Sequence, residues 1–249
     1  MEYEKTQWLF KSLVGSHNYN LNTETSDKDY KVFVLPTFDD LYYGEKVSKS
    51  MTSDEEDISI HDIRMLTNML YKSNVNFIEV LFSKELIINT DFLLTKTYDF
   101  IQDLIKNREE YAKMNLPYLW EACIGMYYQN RKKMKYIALT THGNDQRLFD
   151  SKKAMTAYRI LDFLDRYATF LQHEIDQPFK NAIFYNSDER ENLLYIKNEA
   201  TIVEVDKLLD EKLKKVETRY KNFYKESKVN EKLKLELERN IKELIYENI

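Results

Sequence analysis

The sequence predicts an α+β chain, with a small mixed sheet and its helices over residues 1–88 and a helical region over 89–249. Three observations predict it. Four glycines and three prolines in 249 residues are few for a sheet-rich chain, whose turns lean on both. The stretches that read as strands, ending at Val14, at Leu35 and at His61, all lie in the first quarter of the chain. From about residue 90 onward apolar residues recur three and four apart, as on one helix face.

In order, residues 4–14 open charged and end with Trp8, Leu9, Leu13 and Val14, which reads as a helix running into a short strand. Gly15 to Tyr19 and the Asn-, Thr- and Ser-rich stretch after it read as a loop. Tyr30–Leu35 is a strand that Pro36 ends, since proline has no N–H for a ladder. Residues 37–56 read as irregular and charged. Asp57–His61 alternates polar and apolar, as a half-buried strand does. Ile63, Leu66 and Leu70 begin a helix, and a second helical stretch covers roughly 76–82. Helical spacing then occupies 91–107, 117–139, 151–175, 201–226 and 230–247, with breaks at His142-Gly143-Asn144-Asp145 and at Pro178.

Composition narrows the functional classes. A formal net charge of −5 gives no whole-chain attraction to nucleic acid, although a local basic face is compatible with it. One cysteine, Cys123, makes an intrachain disulfide impossible and offers no zinc-type cluster. Met1 to Lys11 is charged and too short in apolar length for a signal peptide, and no run approaches the roughly 18 apolar residues that cross a bilayer. These features point to a cytoplasmic chain with no membrane partner.

The sharpest feature is Gly15-Ser16 followed by Asp27-Lys28-Asp29 at the mouth of a strand. Carboxylates at i and i+2 on a strand point to one side and can share divalent cations through oxygen ligands, the kind Mg²⁺ prefers. Two carboxylates side by side repel, so the pair is more natural with a metal present. Asp57, opening the next strand, would complete the cage. Nucleotidyl transfer needs such a cage, because two metals about 3.5–4 Å apart can activate the attacking oxygen and stabilise the leaving one. Gly15 would let the backbone approach phosphates, and Ser16 with the adjacent N–H groups would donate to them. An Asp-x-Asp pair in an acidic chain is also commonly a solvated surface turn, and that reading stays open.

These residues resemble the signature of the polymerase-β-like nucleotidyltransferase superfamily: a Gly-Ser, a gap of about ten residues, an Asp-x-Asp on a strand, then a later acidic strand residue. In detail, Gly15-Ser16-His17-Asn18-Tyr19-Asn20-Leu21 and Ser26-Asp27-Lys28-Asp29 are similar to predicted nucleotidyltransferases of the YcgL type, often encoded by bacteria and their phages. That branch shows Gly-Ser-His-x-Tyr-Gly-Leu and then Ser-Asp-x-Asp. Asp57–Arg64 running into Asn74–Phe82 is similar to its second block. Lys152 and Arg159 resemble its Lys-x-x-x-His-x-x-Arg segment, with Thr156 in place of the histidine, and Asn20 replaces a usual glycine.

The resemblance implies transfer of an NMP from an NTP to a hydroxyl, on an RNA end or a protein side chain, with Mg²⁺ or Mn²⁺ as cofactor. It implies Asp27, Asp29 and Asp57 as catalytic metal ligands. It implies Gly15, Ser16, His17, Lys152 and Arg159 as nucleotide-binding residues. It also implies a helical region that completes the cleft. A second reading keeps the fold but not the reaction: a nucleotide-binding or adaptor protein. For Lys152 and Arg159 a solvated helix face is the plainer alternative, and for His17 and His61 a satisfied polar edge. The run Arg131–Tyr136 could follow a nucleic-acid backbone or be an ordinary cationic helix face.

Overall fold

The chain is described by a computed structural model over residues 7–53, 56–140 and 149–249, with side chains to residue 135 in the second stretch. Five strands, β1 (Trp8–Val14), β2 (Lys28–Val34), β3 (Ser48–Thr52), β4 (Glu56–Asp62) and β5 (Leu86–Ile88), form one mixed sheet in the order β3-β4-β2-β1-β5. β1 is antiparallel to β2 and β5, β3 is antiparallel to β4, and β2 runs parallel to β4. β1 is buried along nearly its whole length; Lys11 and Ser12 interrupt its apolar run, and the Ser12 hydroxyl donates to the Val80 carbonyl at 2.9 Å. β2 and β4 each begin half exposed and end buried. Their polar starts, Lys28-Asp29 and Glu56-Asp57, therefore meet solvent, while Val32–Val34 and Ile60–Asp62 lie in the core.

Alternation sorts the side chains by face. Leu13, Tyr30, Val32, Val34, Ile58 and Ile60 form a buried cluster on one face, with Trp8, Val47 and Met51 packed against it. Asp29, Lys31 and Phe33 share the other face with Asp57, Ser59 and His61, their register partners on β4. On that face Phe33 stacks on Phe10 at 4.9 Å, and the His61 ring lies 5.7 Å from Phe33 and 5.3 Å from Phe77.

Among the described residues the α-helices, in chain order, are α1 (Gly15–Tyr19), α2 (Phe38–Tyr42), α3 (Leu66–Tyr71), α4 (Val75–Ile78), α5 (Lys96–Lys106), α6 (Arg108–Lys113), α7 (Leu116–Thr140), α8 (Ser151–Gln172), α9 (Pro178–Ile183), α10 (Ser187–Asn198), α11 (Ile202–Lys225) and α12 (Glu231–Glu247). They divide between two compact units, Met1–Asn115 with Val229–Ile249, and Leu116–Lys228. The sheet unit takes in residues 89–115 and α12 as well as the residues up to 88 that strand and helix patterns mark as its α/β part.

The helical unit packs α7, α9, α10 and α11 around α8. Trp120, Cys123 and Tyr127 of α7, Leu164 and Tyr167 of α8, and Tyr224 of α11 are buried in it. The Tyr224 hydroxyl donates to the Leu164 carbonyl at 2.8 Å, which satisfies a polar group that burial would otherwise penalise. Burial pushes the Cys123 thiol pKa well above its ordinary value, so this cysteine packs as a small hydrophobe. Asp165 is 8% exposed and accepts from Lys212 and Lys215, both at 2.6 Å. Burial alone would raise its pKa, but the two ammonium groups hold it below the usual carboxylate value.

The fold is α+β as the periodicities predict, and the long helices keep close to their predicted spans. Local differences have physical causes. Trp8–Val14 is strand throughout, so any preceding helix would fall in residues 1–6, outside the described residues. Gly15–Tyr19 forms one helical turn rather than loop, closed by Asn20 in the left-handed region at φ 65°. Residues 37–56 contain α2 and β3. A capping box starts α2: Thr37 donates its N–H to the Asp40 carboxylate at 2.7 Å, and Thr37 Oγ1 accepts from the Asp40 N–H at 3.1 Å. β3 is a polar edge strand with no apolar alternation to announce it. The short elements β5, α6, α9 and α10 were not expected, and Pro178 opens α9 in its first turn. The break expected at His142–Asp145 lies outside the described residues.

His61 is held neutral by this packing. Burial, with the nearby Lys31 charge second, lowers its pKa to about 4. The unfolded chain protonates this imidazole near 6.5, so stability drops as pH falls from about 6.5 toward 4. His61→Leu should reduce the stability loss between pH 7 and 4.5, followed by urea denaturation, by about 2 kcal/mol. An unchanged pH dependence would show that His61 is not held neutral in the folded state.

Candidate active site

The site is built on the parallel pair. β2 and β4 run in register with Asp29 opposite Asp57, and Asp27 stands one residue ahead of β2. One carboxylate oxygen from each of Asp27, Asp29 and Asp57 lies within 4.8 Å of the other two. Asp27 is exposed, and Asp29 and Asp57 are half buried. Asp57 Oδ1 is fully covered and has no hydrogen-bond partner among the described residues. A buried carboxylate oxygen left without a donor is costly unless something else satisfies it. An all-oxygen donor set with one such atom fits a hard divalent cation such as Mg²⁺ or Mn²⁺.

The Gly-Ser turn is fitted around Asp29. Val14, the last residue of β1, pairs with Asp29, so Gly15 emerges directly beside that carboxylate. Gly15 has φ 70°, and a Cβ there would collide with Asp29 Oδ2. Both the backbone conformation and the space demand glycine. The Gly15 N–H donates to Glu79 Oε2 at 3.2 Å, and Glu79 is 2% exposed. Two further contacts moor the same region: Lys84 N–H to Asn18 Oδ1 at 3.0 Å, and Ser83 Oγ to the Leu13 carbonyl at 2.7 Å. The Ser16 carbonyl accepts from Leu21 N–H at 2.8 Å, closing the turn.

His17 Nε2 lies 3.0 Å from the Ser26 carbonyl oxygen, to which only a protonated nitrogen can donate. That bond ties α1 to the residue before Asp27. Ser26 Oγ accepts from the Thr23 N–H at 2.9 Å, which shapes the turn leading into the acidic pair. Lys31, two residues beyond Asp29 on the same face, sits level with Ser12 and Ser59, its ammonium 5.4 Å from the Phe77 ring centre.

The structure therefore brings Gly15, Asp27, Asp29 and Asp57 together, with Ser16 and His17 in the adjoining turn. Lys152 and Arg159 belong to the helical unit. Lys152 is exposed in the first turn of α8, whereas Arg159 is 6% exposed, and its carbonyl oxygen lies 3.4 Å from the Tyr185 hydroxyl. His61 lies along the β4 face between two phenylalanine rings. In the basic run, Arg131 bonds the Tyr127 hydroxyl and Asp210, and Lys135 pairs with Asp206 at 2.9 Å. Those cations are engaged within the helical unit. The Tyr136 side chain lies outside the described residues.

Glu79 and Lys31 are neighbours of the site that residue patterns did not single out. A lone carboxylate inside the apolar run Phe77–Phe82 was a signal for Glu79, because an acid in a buried turn needs a partner. Lys31 carried no such signal in sequence. Its position follows only from the register of three strands.

No curated protein matches the chain. Residues 2–244 match the family model RlaP, described as an RNA repair pathway DNA polymerase beta family. The matched span covers both units, and the sheet carries its acidic triad at the mouth of β2 and β4. The chain belongs to the RlaP family of polymerase-β-like proteins, the RNA repair pathway DNA polymerase beta family.

Proposed function

We propose that the chain transfers an NMP from an NTP to a hydroxyl of RNA. The observation that carries this is the convergence of Asp27, Asp29 and Asp57 within 4.8 Å, beside a turn where only glycine fits. The family description, RNA repair, supports RNA as the acceptor class.

In the reaction, an acceptor hydroxyl oxygen forms a bond to the α-phosphorus. The bond from that phosphorus to the bridging oxygen breaks, and pyrophosphate leaves with the electron pair. The hydroxyl proton must go to a base, and the Asp57 carboxylate would take it. Asp27 and Asp29 would hold both metal ions and Asp57 one. Bound Mg²⁺ or Mn²⁺ would neutralise charge on the phosphoryl oxygens and lower the pKa of the attacking hydroxyl. Since the Gly15 N–H is already given to Glu79, the Ser16 hydroxyl and the following backbone N–H groups would receive the β- and γ-phosphates. His17 would act by fixing the approach to Asp27 through Ser26. Lys152, exposed on α8 of the helical unit, takes no part in the chemistry derived from the sheet unit. Arg159, enclosed in the helical unit, would support that helix.

The direct test incubates the full chain with labelled NTPs, Mn²⁺ or Mg²⁺ and 3′-hydroxyl RNA. Label should pass to RNA, and Asp27→Ala or Asp57→Ala should lower the rate at least about 100-fold. Tight NTP binding with no transfer by the unaltered chain would favour a nucleotide-binding protein instead. Stability gives an independent readout. In EDTA, Asp57→Asn should keep or raise the melting temperature, because it relieves carboxylate repulsion. With Mn²⁺ the unaltered chain should gain melting temperature and the variant should gain less. Equal shifts in both would place the metal elsewhere.

A further inference from the structure

The acidic triad stands at the start of β2 and β4. A different surface forms where β2 ends. Pro36 follows that strand, and α2 then displays three rings: Phe38 is 66% exposed, Tyr42 73% and Tyr43 70%. The Phe38 and Tyr42 rings stack at 6.3 Å, and Tyr43 meets Tyr42 edge-on at 5.1 Å. Single exposed aromatics are ordinary, but a contiguous trio in water marks a contact surface.

Beside the rings lies a cleft of about 780 Å³ within the same unit, lined by Leu41 and Lys46 on one side and by Arg239 and Lys242 of α12 on another. Arg64 also lines it, held by Asp62, whose oxygens lie 2.9 and 3.0 Å from Nε, and by the Glu45 carbonyl. With Arg64 neutralised by Asp62, the remaining charged lining is Lys46, Arg239 and Lys242 against Glu238, and Glu243, one turn beyond Arg239, lies 3.9 Å from its Nε, which leaves a small excess of cations. This local excess of cations stands in a chain whose formal net charge is −5. Asp40, the nearest carboxylate of α2, is turned into its own cap on Thr37.

We propose that this surface is a docking site for single-stranded RNA. Bases would stack on Phe38, Tyr42 and Tyr43, and phosphates would lie against Lys46, Arg239 and Lys242. The pairing of chemistries selects the ligand. An acidic peptide would use the cations and leave the rings idle, and an apolar peptide the reverse. A single strand offers a flat ring and an anion at every step. The site is separate from the triad: Asp29 to Val34 is five steps of about 3.3 Å, or about 16 Å along β2. An acceptor engaging both must therefore be several nucleotides long. Its use as an acceptor site rests on the nucleotidyl-transfer reading, but binding does not.

The test uses the full chain and fluorescence anisotropy with an unstructured RNA of roughly 16 nucleotides. The exposed side chains can be changed without touching the core. Tyr42→Ala with Tyr43→Ala should raise Kd about tenfold and leave the salt dependence unchanged. Lys46→Ala, Arg239→Ala and Lys242→Ala together should raise Kd and reduce the slope of log K against log salt by about two. Transfer onto the long RNA should fall in both variants, while transfer onto a dinucleotide acceptor should not. Unaltered RNA binding in both variants would overturn the inference. So would displacement of RNA by polyglutamate at equal charge, with no effect of the tyrosine changes. If the unaltered chain binds RNA through this surface yet transfers nothing, the catalytic reading fails and the docking site stands.

Discussion

Asp29 and Asp57 face each other across a parallel strand pair, and the candidate site depends on that register. Like charges in such proximity oppose folding locally, so the rest of the sheet must hold them there. Val32 and Ile60, further along the same strands, are buried at 0% and 5% exposure on the shared apolar face. A slip of one residue would turn those side chains to the opposite face along with the carboxylates. Hydrophobic burial at one end of β2 and β4 thus fixes electrostatic crowding at the other. A divalent cation bound there would turn that crowding into binding free energy.

The same constraint explains the glycine. β1 lies antiparallel to β2 and delivers Val14 opposite Asp29, so the chain must turn away beside a carboxylate. Only a residue without a Cβ clears Asp29 there, and φ 70° makes that choice doubly favourable. Glu79 then accepts the Gly15 N–H from a turn that is distant in sequence, and so ties that turn to α1 beside the triad. The triad and the Gly15-Ser16 turn are thereby held at the ends of neighbouring strands of one sheet rather than on independent loops, which favours precise placement.

Much of this was legible in sequence because it rests on short-range patterns. Asp27-Lys28-Asp29 before an apolar run and Asp57 opening an alternating segment mark two strand mouths. Their convergence required only that the strands be neighbours. Long amphipathic helices such as α8 and α11 announced themselves through repeated apolar spacing. What stayed hidden depends on partners far away in the chain. Glu79 looked like one acid in an apolar stretch until the fold set it at Gly15. Arg159, which the resemblance gave as a nucleotide-binding residue with a solvated helix face as the alternative, is enclosed by packing. β3 and β5 are short edge strands held by ladder bonds to their neighbours; β3 is polar, and the Leu-Ile-Ile of β5 is too short to stand out as a strand. The return of α12 to the sheet unit after a whole helical unit is a long-range event that no local pattern encodes.

The central claim is that three carboxylates share a metal-dependent nucleotide site. The most direct measurement is anomalous scattering from crystals of the full chain grown with Mn²⁺ and a non-hydrolysable NTP. The account predicts a manganese peak about 2.1 Å from oxygens of Asp27 and Asp29, with Asp57 in the same cluster and the triphosphate beside Ser16. Manganese absent from these carboxylates while the nucleotide is bound, or a nucleotide seated away from Gly15 and Ser16, would contradict it.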